Sequence, residues 1–599
     1  MQEKIAPLRP KHVDDVLQLI LKRVAPTEPF VRHWEIATTP EGLRVDVNFD
    51  GEEIVLAIRP RDGAIAFAKT RSLAINIACN DNEFRLNPRA EKFLRLVVTL
   101  LQRTDRGNLF VPQIGAAGAA RKPRFSSEAQ AHEALSEKLR YAAFIGWKAI
   151  TTEDLYPHTQ ALGDIVGAKE IVAGWERTLK RIEEGRAPEK LGLYIHIPYC
   201  ATCCEFCYCA KTDRFARGDL YAYVDRLIDE IELFRPTFAK ARFTSVYFGG
   251  GTPSILNAEL LKRLITTLYD AFEVPDGTQV VFEGNPDTLN EQKIQILAEL
   301  GRVSRLTIGV QTLDAETQKR ARRFNKHEHV SEAVEAARKF GIPHVNIDLM
   351  AGMDGQTFDA FKNDLNFVLS LQPDSLNING FRPLARTIWT SKGNEMGSEQ
   401  IELRDAMITW GRERLSEFGL IPQRGVDPAR TRLAANIQEY DLRRQNSSLL
   451  GLGHAARSHA FGSYFYSSRV GSDFDASLRE QIEEERRWTA VPVDIRAEQQ
   501  KFLIENLVTG FSCKTFKKIF GVDPWDVERP VLENLENLGV LRRSGDTVYS
   551  YPGKSANVLM YRSLFYSGEV LERMHERWAS EYDPSIDYRA RLEHLVGGQ

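Results

Sequence analysis

Only two cysteines of this 599-residue chain, Cys79 and Cys513, lie outside one ten-residue run. That excludes a disulfide framework, which spreads its cysteines along a chain to close loops. No apolar stretch approaches the roughly 18 residues that cross a bilayer. The opening Met-Gln-Glu-Lys-Ile-Ala-Pro lacks the apolar core of a signal peptide. Neither sign of charge is in excess: 79 Lys and Arg against 82 Asp and Glu leave −3, which gives no electrostatic case for nucleic acid or an anionic membrane as partner. No internal repeat occurs. A cytoplasmic, reducing setting is therefore expected, for a globular protein with 43% hydrophobic and 27% charged residues. The length allows roughly three or four domains.

The remaining five cysteines stand together in Cys200-Ala-Thr-Cys203-Cys204-Glu-Phe-Cys207-Tyr-Cys209, directly behind the apolar run Leu191–Ile197. Cysteines gathered in one loop point to a metal or cluster site. Cys200, Cys204 and Cys207 have the spacing C-x3-C-x2-C. Three thiolates on a short loop can hold three irons of a [4Fe-4S] cluster and leave the fourth iron open to an external ligand. An alternative parse pairs Cys200 with Cys203 and Cys204 with Cys207, as in a zinc site. Zinc ribbons separate such pairs by roughly fifteen or more residues, whereas here they abut and a tetrahedral site is hard to close.

Residues 1–120 read as an α+β accessory domain. Helical patterns are expected at 13–21 and 90–102, with extended runs at 43–49 and 53–58. The Gly/Ala-rich stretch 115–123, with a Pro stop, leads into a helical linker over 121–190. From 191 to 385, strand-like runs at 193–197, 245–248, 279–282, 305–310, 344–349 and 375–379 alternate with helical patterns at 220–234, 259–271, 291–300, 330–340 and 357–371. Such alternation predicts α/β architecture, with parallel strands and helical crossovers in a partial (β/α)6 barrel of TIM type. A capping region over 386–490 and a C-terminal module over 491–599 complete the chain. In β/α barrels, functional residues sit at the C-terminal strand ends. The cysteine loop, Gly249-Gly-Gly-Thr-Pro253, Glu283, Gln311 and Asp348 all fall there.

Tyr194-Ile-His-Ile-Pro-Tyr-Cys200 followed by C-x3-C-x2-C-x-C closely resembles the radical S-adenosylmethionine (SAM) enzymes, in their oxygen-independent coproporphyrinogen III oxidase-like branch. The resemblance covers roughly residues 190–575. It implies that Cys200, Cys204 and Cys207 ligate a [4Fe-4S] cluster whose open iron is chelated by SAM, and that reductive cleavage yields a 5'-deoxyadenosyl radical. Cys209 matches the fourth, non-ligating cysteine. Gly249, Gly250, Gly251 and Thr252 match the segment along the methionine moiety of SAM. Glu283 matches the acceptor for the SAM ribose hydroxyls, and Gln311, Arg323 and Asp348 match other SAM-site positions. Tyr194 matches a tyrosine near the sulfonium. Tyr194 and Cys209 are thus the candidate catalytic residues. Each also has a plainer reading: Glu283 could cap a helix, Arg323 could belong to a charge run with Arg320 and Arg322, and Tyr194 could be core. His454 and His459, in a segment resembling the family's active-site wall, are possible acid–base groups, although lone histidines are more often structural. The resemblance also implies a winged-helix-like C-terminal module, a small-molecule substrate, and an electron donor such as flavodoxin or ferredoxin.

Departures weigh against a housekeeping coproporphyrinogen oxidase. After Asp348 the chain reads Leu-Met-Ala-Gly-Met-Asp354 where that family has Leu-Ile-Tyr-Gly-Leu-Pro, and the block Tyr-Glu-x-Ser-Asn-Phe-Ala is not recognisable. Three functions stay open. The first is hydrogen abstraction from an unidentified substrate, with coproporphyrinogen-like oxidative decarboxylation left open, and the second is methyl transfer of the class C kind, with two SAM molecules. The third is a haem-binding chaperone of the same fold, which Cys209 counts against. Auxiliary-cluster and cobalamin-dependent members are set aside, because the first need more cysteines and the second an Asp-x-His-x-x-Gly motif.

Overall fold

The computed structural model describes residues 31–39, 42–49, 52–58, 67–70, 74–76, Phe144 and Ile586. It also describes 162–582 apart from 385–386, 424–425, 469–473, 484–486, 508–509, 538–540, 551–564 and 567. No helix among the described residues is long and apolar enough to cross a membrane. The chain divides into two compact units, one within Met1–Lys148, Gly510–Lys514 and Val522–Glu593, the other within Ala149–Thr509, Thr515–Gly521 and His594–Gln599.

The first unit holds two antiparallel sheets. β1 (Val31–Thr39), β2 (Gly42–Phe49), β3 (Glu52–Ile58), β4 (Phe67–Thr70) and β5 (Ala74–Asn76) pair in chain order, and the extended runs at 43–49 and 53–58 lie in β2 and β3. The helices expected at 13–21 and 90–102, and the stretch 115–123, lie outside the described residues.

The second unit is built on one sheet, here numbered on from the first: β6 (Asp164–Gly167), β7 (Leu191–Ile197), β8 (Ser245–Gly250), β9 (Gln279–Gly284), β10 (Arg305–Gln311), β11 (His344–Ala351), β12 (Ser375–Gly380), β13 (Ile421–Gln423), β14 (Val426–Ala429), β15 (Ser448–Leu452), β16 (Arg457–Ala460), β17 (Tyr464–Ser468) and β18 (Arg487–Pro492). Their order is β13-β14-β12-β11-β10-β9-β8-β7-β15-β16-β17-β18-β6. The six neighbours β7 to β12 are all parallel, and each contains one of the six expected strands. The sheet also extends beyond them. β15 adds a seventh parallel strand beside β7, and antiparallel strands flank both ends. Spacing alone hid this extension, because Leu449-Leu-Gly-Leu-Gly carries too few β-branched residues to announce a strand. In the first unit, β19 (Phe511–Ser512), β20 (Leu541–Ser544) and β21 (Thr547–Ser550) form the other small sheet, with the hairpin turning at Gly545-Asp546.

Strands buried on both faces explain the apolar runs. Leu306, Ile308 and Val310 of β10 are fully buried on one face, while Arg305, Thr307, Gly309 and Gln311 share the other. Crossover helices begin where short polar side chains can accept a free N–H. Asn257, Asn290, Asp314 and Thr357 cap Leu260, Lys293, Thr317 and Ala360 in this way. Helix Ala258–Ala271 then buries Leu260, Leu261, Leu264, Ile265 and Leu268, each contributing about 1.5–3 kcal/mol by leaving water.

The chain's own residues 433–438 occupy the N-terminal ends of the parallel strands. Gln279 Nε2 donates to the carbonyls of Leu433 (3.0 Å) and Ala435 (2.8 Å), and its Oε1 accepts from Ile437 N–H (2.9 Å). The buried Arg305 donates from Nε to Ala434 O at 2.9 Å. Gln438 donates to Leu193 O (3.0 Å) and Ser245 Oγ (3.1 Å). With that end closed by satisfied polar groups, ligand access is left to the opposite, C-terminal ends.

Candidate functional site

The loop after β7 leaves and returns through a narrow neck. Cys200 N–H donates to Thr212 O (2.9 Å) and Thr212 N–H to Pro198 O (2.8 Å), which pins both ends of the cysteine run. Inside it, Asp213 Oδ2 accepts from Cys203 N–H at 2.8 Å, and Lys211 Nζ donates to the carbonyls of Cys207 (2.9 Å) and Cys209 (3.4 Å). Glu205 N–H reaches Ala321 O (3.0 Å), Trp389 N–H reaches Glu205 O (3.1 Å), and Lys392 pairs with the buried Glu205 carboxylate at 2.8 Å. Phe206 is buried with Cys204, Met353, Phe381 and Trp389. Cys200, Cys203 and Cys204 are buried, Cys207 is half-buried and Cys209 is exposed.

Two donors from distant elements meet the thiols. Thr252 Oγ1 lies 3.3 Å from Cys200 Sγ, and Arg323 Nη1 lies 3.7 Å from Cys204 Sγ. Burial pushes the Cys200 thiol up to about 12, while a hydrogen bond with Cys209 holds Cys207 down to about 5 against the effect of burial. Among the described residues no three His, Cys, Asp or Glu groups could hold a single metal ion. Thiolates that bind separate corners of a cluster have no need to converge on one point.

The glycine run lets the loop after β8 lie against the cysteine loop. Gly251 N–H donates to Ile197 O (2.8 Å), and a Cβ there would sit 2.9 Å from Tyr199 O and 3.1 Å from Cys200 Sγ. Gly250 has φ +117°, a backbone state open in practice to glycine alone, and a Cβ would meet the His196 ring at 2.9 Å. Gly249 leaves room for Glu283, whose Oε2 would be 3.0 Å from a Cβ.

Glu283 accepts from Tyr247 O–H at 2.5 Å, and burial raises its carboxyl to about 7. On β7, His196 Nε2 faces the Ala210 carbonyl at 3.0 Å, so it carries the proton and Nδ1 accepts from Tyr194 O–H at 2.9 Å. Burial lowers His196 to about 4, which keeps the ring neutral, and holds the Tyr194 phenol well above its ordinary value. Asp348 Oδ1 accepts from Asn346 Nδ2 (2.7 Å) and Asn377 Nδ2 (3.0 Å). Gln311 ends β10 at φ +67°, a state that costs a non-glycine residue roughly 1–2 kcal/mol. Its buried Oε1 has no hydrogen-bond partner. Arg323 reaches Gly309 O through Nη2, and its buried Nε has no partner. Strain and orphaned polar atoms at one end of the sheet are what a missing polar ligand leaves behind.

The expected site residues lie on β7 to β11 and in the segments that follow these strands, with Tyr194 at mid-strand in β7 and Arg323 just past the helix after β10. Tyr247, Lys211, Thr212 and Asn346 are additions. Tyr247 could have been found only by its position two residues before Gly249. His454 and His459 turn elsewhere. His459 is fully buried, with Nδ1 2.9 Å from Ser447 O and Nε2 2.9 Å from both Glu498 oxygens, while His454 Nε2 lies 3.2 Å from Ser477 Oγ.

Residues 194–368 match the family model of the radical SAM superfamily. The chain therefore contains a radical SAM domain. Over 196 residues, 32% of this chain and 42% of the other, it is 34% identical to the oxygen-independent coproporphyrinogen III oxidase of Pseudomonas aeruginosa. Over 179 residues, 30% of this chain and 46% of the other, it is 32% identical to the haem chaperone HemW of Lactococcus lactis. The chain thus spans less than half the length of these two relatives. The solved structure of Escherichia coli coproporphyrinogen III oxidase superposes with TM-score 0.54 at 23% identity, covering 64% of this chain and 92% of that one, which shows a shared fold. A domain of this kind implies a [4Fe-4S] cluster and SAM. The residues present fit both: three thiols in one pinned loop with donors on two of them, a glycine cradle, a carboxyl beside it, and unpaired polar atoms at the same rim.

Proposed function

We propose that this chain is a radical SAM enzyme that acts on a small-molecule substrate by hydrogen abstraction. When bound and reduced, the cluster and SAM together supply a 5'-deoxyadenosyl radical. Cys200, Cys204 and Cys207 hold the cluster, and Cys209 stays outside the ligand set. Gly249 to Gly251 let the backbone approach the methionine end of SAM without a Cβ in the way, and Thr252 lies beside them. Glu283 accepts from the ribose hydroxyls. Gln311, Arg323 and Asp348 present polar groups to the rest of the molecule, with Arg323 offering its guanidinium to an anionic group. Tyr194, locked by His196, packs beside the glycine cradle, where it shields the reacting centre from water. An electron comes from a donor such as flavodoxin or ferredoxin.

The observation that carries this reading is the contact of the β8 glycine loop with Cys200, because it brings glycines that leave room for a ligand directly against the thiol run. The test is product analysis after anaerobic reconstitution and dithionite reduction. Wild type is expected to release 5'-deoxyadenosine, and Cys200→Ala, Cys204→Ala and Cys207→Ala are not. S-adenosylhomocysteine above the variants' background would favour the second reading, methyl transfer with two SAM molecules. Neither product from a fully loaded protein would turn attention to haem binding.

A further inference from the structure

We propose that Tyr247 is a positioning residue for SAM: its phenol O–H fixes one oxygen of Glu283 and thereby presents the other to the ligand's ribose. This rests on the reading of Glu283 as the ribose acceptor. Tyr247 stands two residues before Gly249 on β8, and Glu283 lies near the end of β9, the next strand. The phenol donates to Glu283 Oε1 at 2.5 Å. Oε2 lies over Gly249, 3.0 Å from where a Cβ would be, on the side where the Tyr194 ring also approaches within 3.2 Å of that point. The carboxyl therefore has one oxygen tied inward and one held over the only residue type that leaves space there.

The Gly250 backbone N–H also hydrogen-bonds the carboxyl, and Tyr247 is its side-chain donor. The Tyr247 ring packs beside Tyr194 with centroids 6.0 Å apart, which fixes its plane. Burial and the neighbouring carboxyl keep the phenol well above its ordinary value, so it remains a donor at working pH. Its hydrogen bond also opposes the upward push of burial on Glu283. With phenylalanine in its place the carboxyl keeps only the Gly250 N–H, and its terminal torsion, which is broad and weakly restrained, is held by one donor instead of two.

The experiment uses the full chain with its cluster reconstituted anaerobically. Dissociation constants are measured for SAM and for an analogue lacking both ribose hydroxyls. Tyr247→Phe is expected to weaken SAM about tenfold, the loss of roughly one well-placed hydrogen bond, and to change the affinity of the analogue less than about twofold, with iron content unchanged. Equal weakening of both ligands would mean a general structural role and overturn the proposal, as would no weakening of either. Glu283→Gln separates the two levels. If it weakens SAM while Tyr247→Phe does not, only the role of Tyr247 falls. If it leaves SAM unaffected, the ribose reading of Glu283 falls and takes this proposal with it.

Discussion

Thr252 Oγ1 donates to Cys200 Sγ across 52 residues of chain, so the glycine loop after β8 supplies a hydrogen bond directly to a thiol of the loop after β7. Donors to cluster sulfurs stabilise the more negative, reduced state and raise the potential. Thr252→Val keeps the shape and the backbone N–H bond to Tyr199 O but removes that donor. The expected result is a cluster retained in full yet with a more negative midpoint potential, read by redox titration followed by electron paramagnetic resonance. An unchanged potential would show that the contact has no electrostatic effect on the cluster.

Glu283 gives a pH dependence of stability. Its folded value is raised to about 7, mainly by burial, against an ordinary value near 4.3. The favourable contribution of the neutral acid is fully present below the unfolded value and is lost as pH rises through about 7. Glu283→Gln is neutral at every pH. Its Tm relative to wild type is therefore expected to climb between pH 5 and pH 8, by the equivalent of roughly 1–2 kcal/mol once partial exposure is discounted. Thermal unfolding of the ligand-free protein across that range checks it, and a pH-independent gap would contradict the shift.

The His459–Glu498 pair is a structural lock. Glu498 also accepts from Asn446 Nδ2 (2.8 Å) and Gly462 N–H (2.8 Å), and Lys501 Nζ donates to Asn446 Oδ1 (3.0 Å), all of it buried. Removing His459 takes a partner from the buried Glu498 carboxylate, and breaking a buried pair of this kind costs about 3–5 kcal/mol. His459→Ala is expected to lower Tm steeply, while SAM affinity of the protein that remains folded stays near wild type. A large loss of affinity at full stability would instead bring His459 into the site.

The barrel was legible because its six strands are largely apolar runs and the intervening helices repeat at helical spacing, several of them behind an Asn, Asp or Thr cap. The site was legible where chemistry fixes residue type, as in three thiols at C-x3-C-x2-C or three consecutive glycines. What stayed hidden depends on register between strands. Tyr247 is one of 18 tyrosines, and only the pairing of β8 with β9 puts its hydroxyl on Glu283. The same holds for Asn346 and Asn377, which meet at Asp348 because β11 and β12 are in register there. His459 was ambiguous for the converse reason: Glu498, which buries it, is 39 residues away.

The most direct test of an open-iron cluster held by Cys200, Cys204 and Cys207 is the electron paramagnetic resonance spectrum of the reduced, reconstituted protein with and without SAM. The expected result is a [4Fe-4S] signal whose g-values shift when SAM is added, and which Cys204→Ala does not give in full. A fully loaded cluster with a spectrum indifferent to saturating SAM, or one that survives intact in Cys204→Ala, would contradict it.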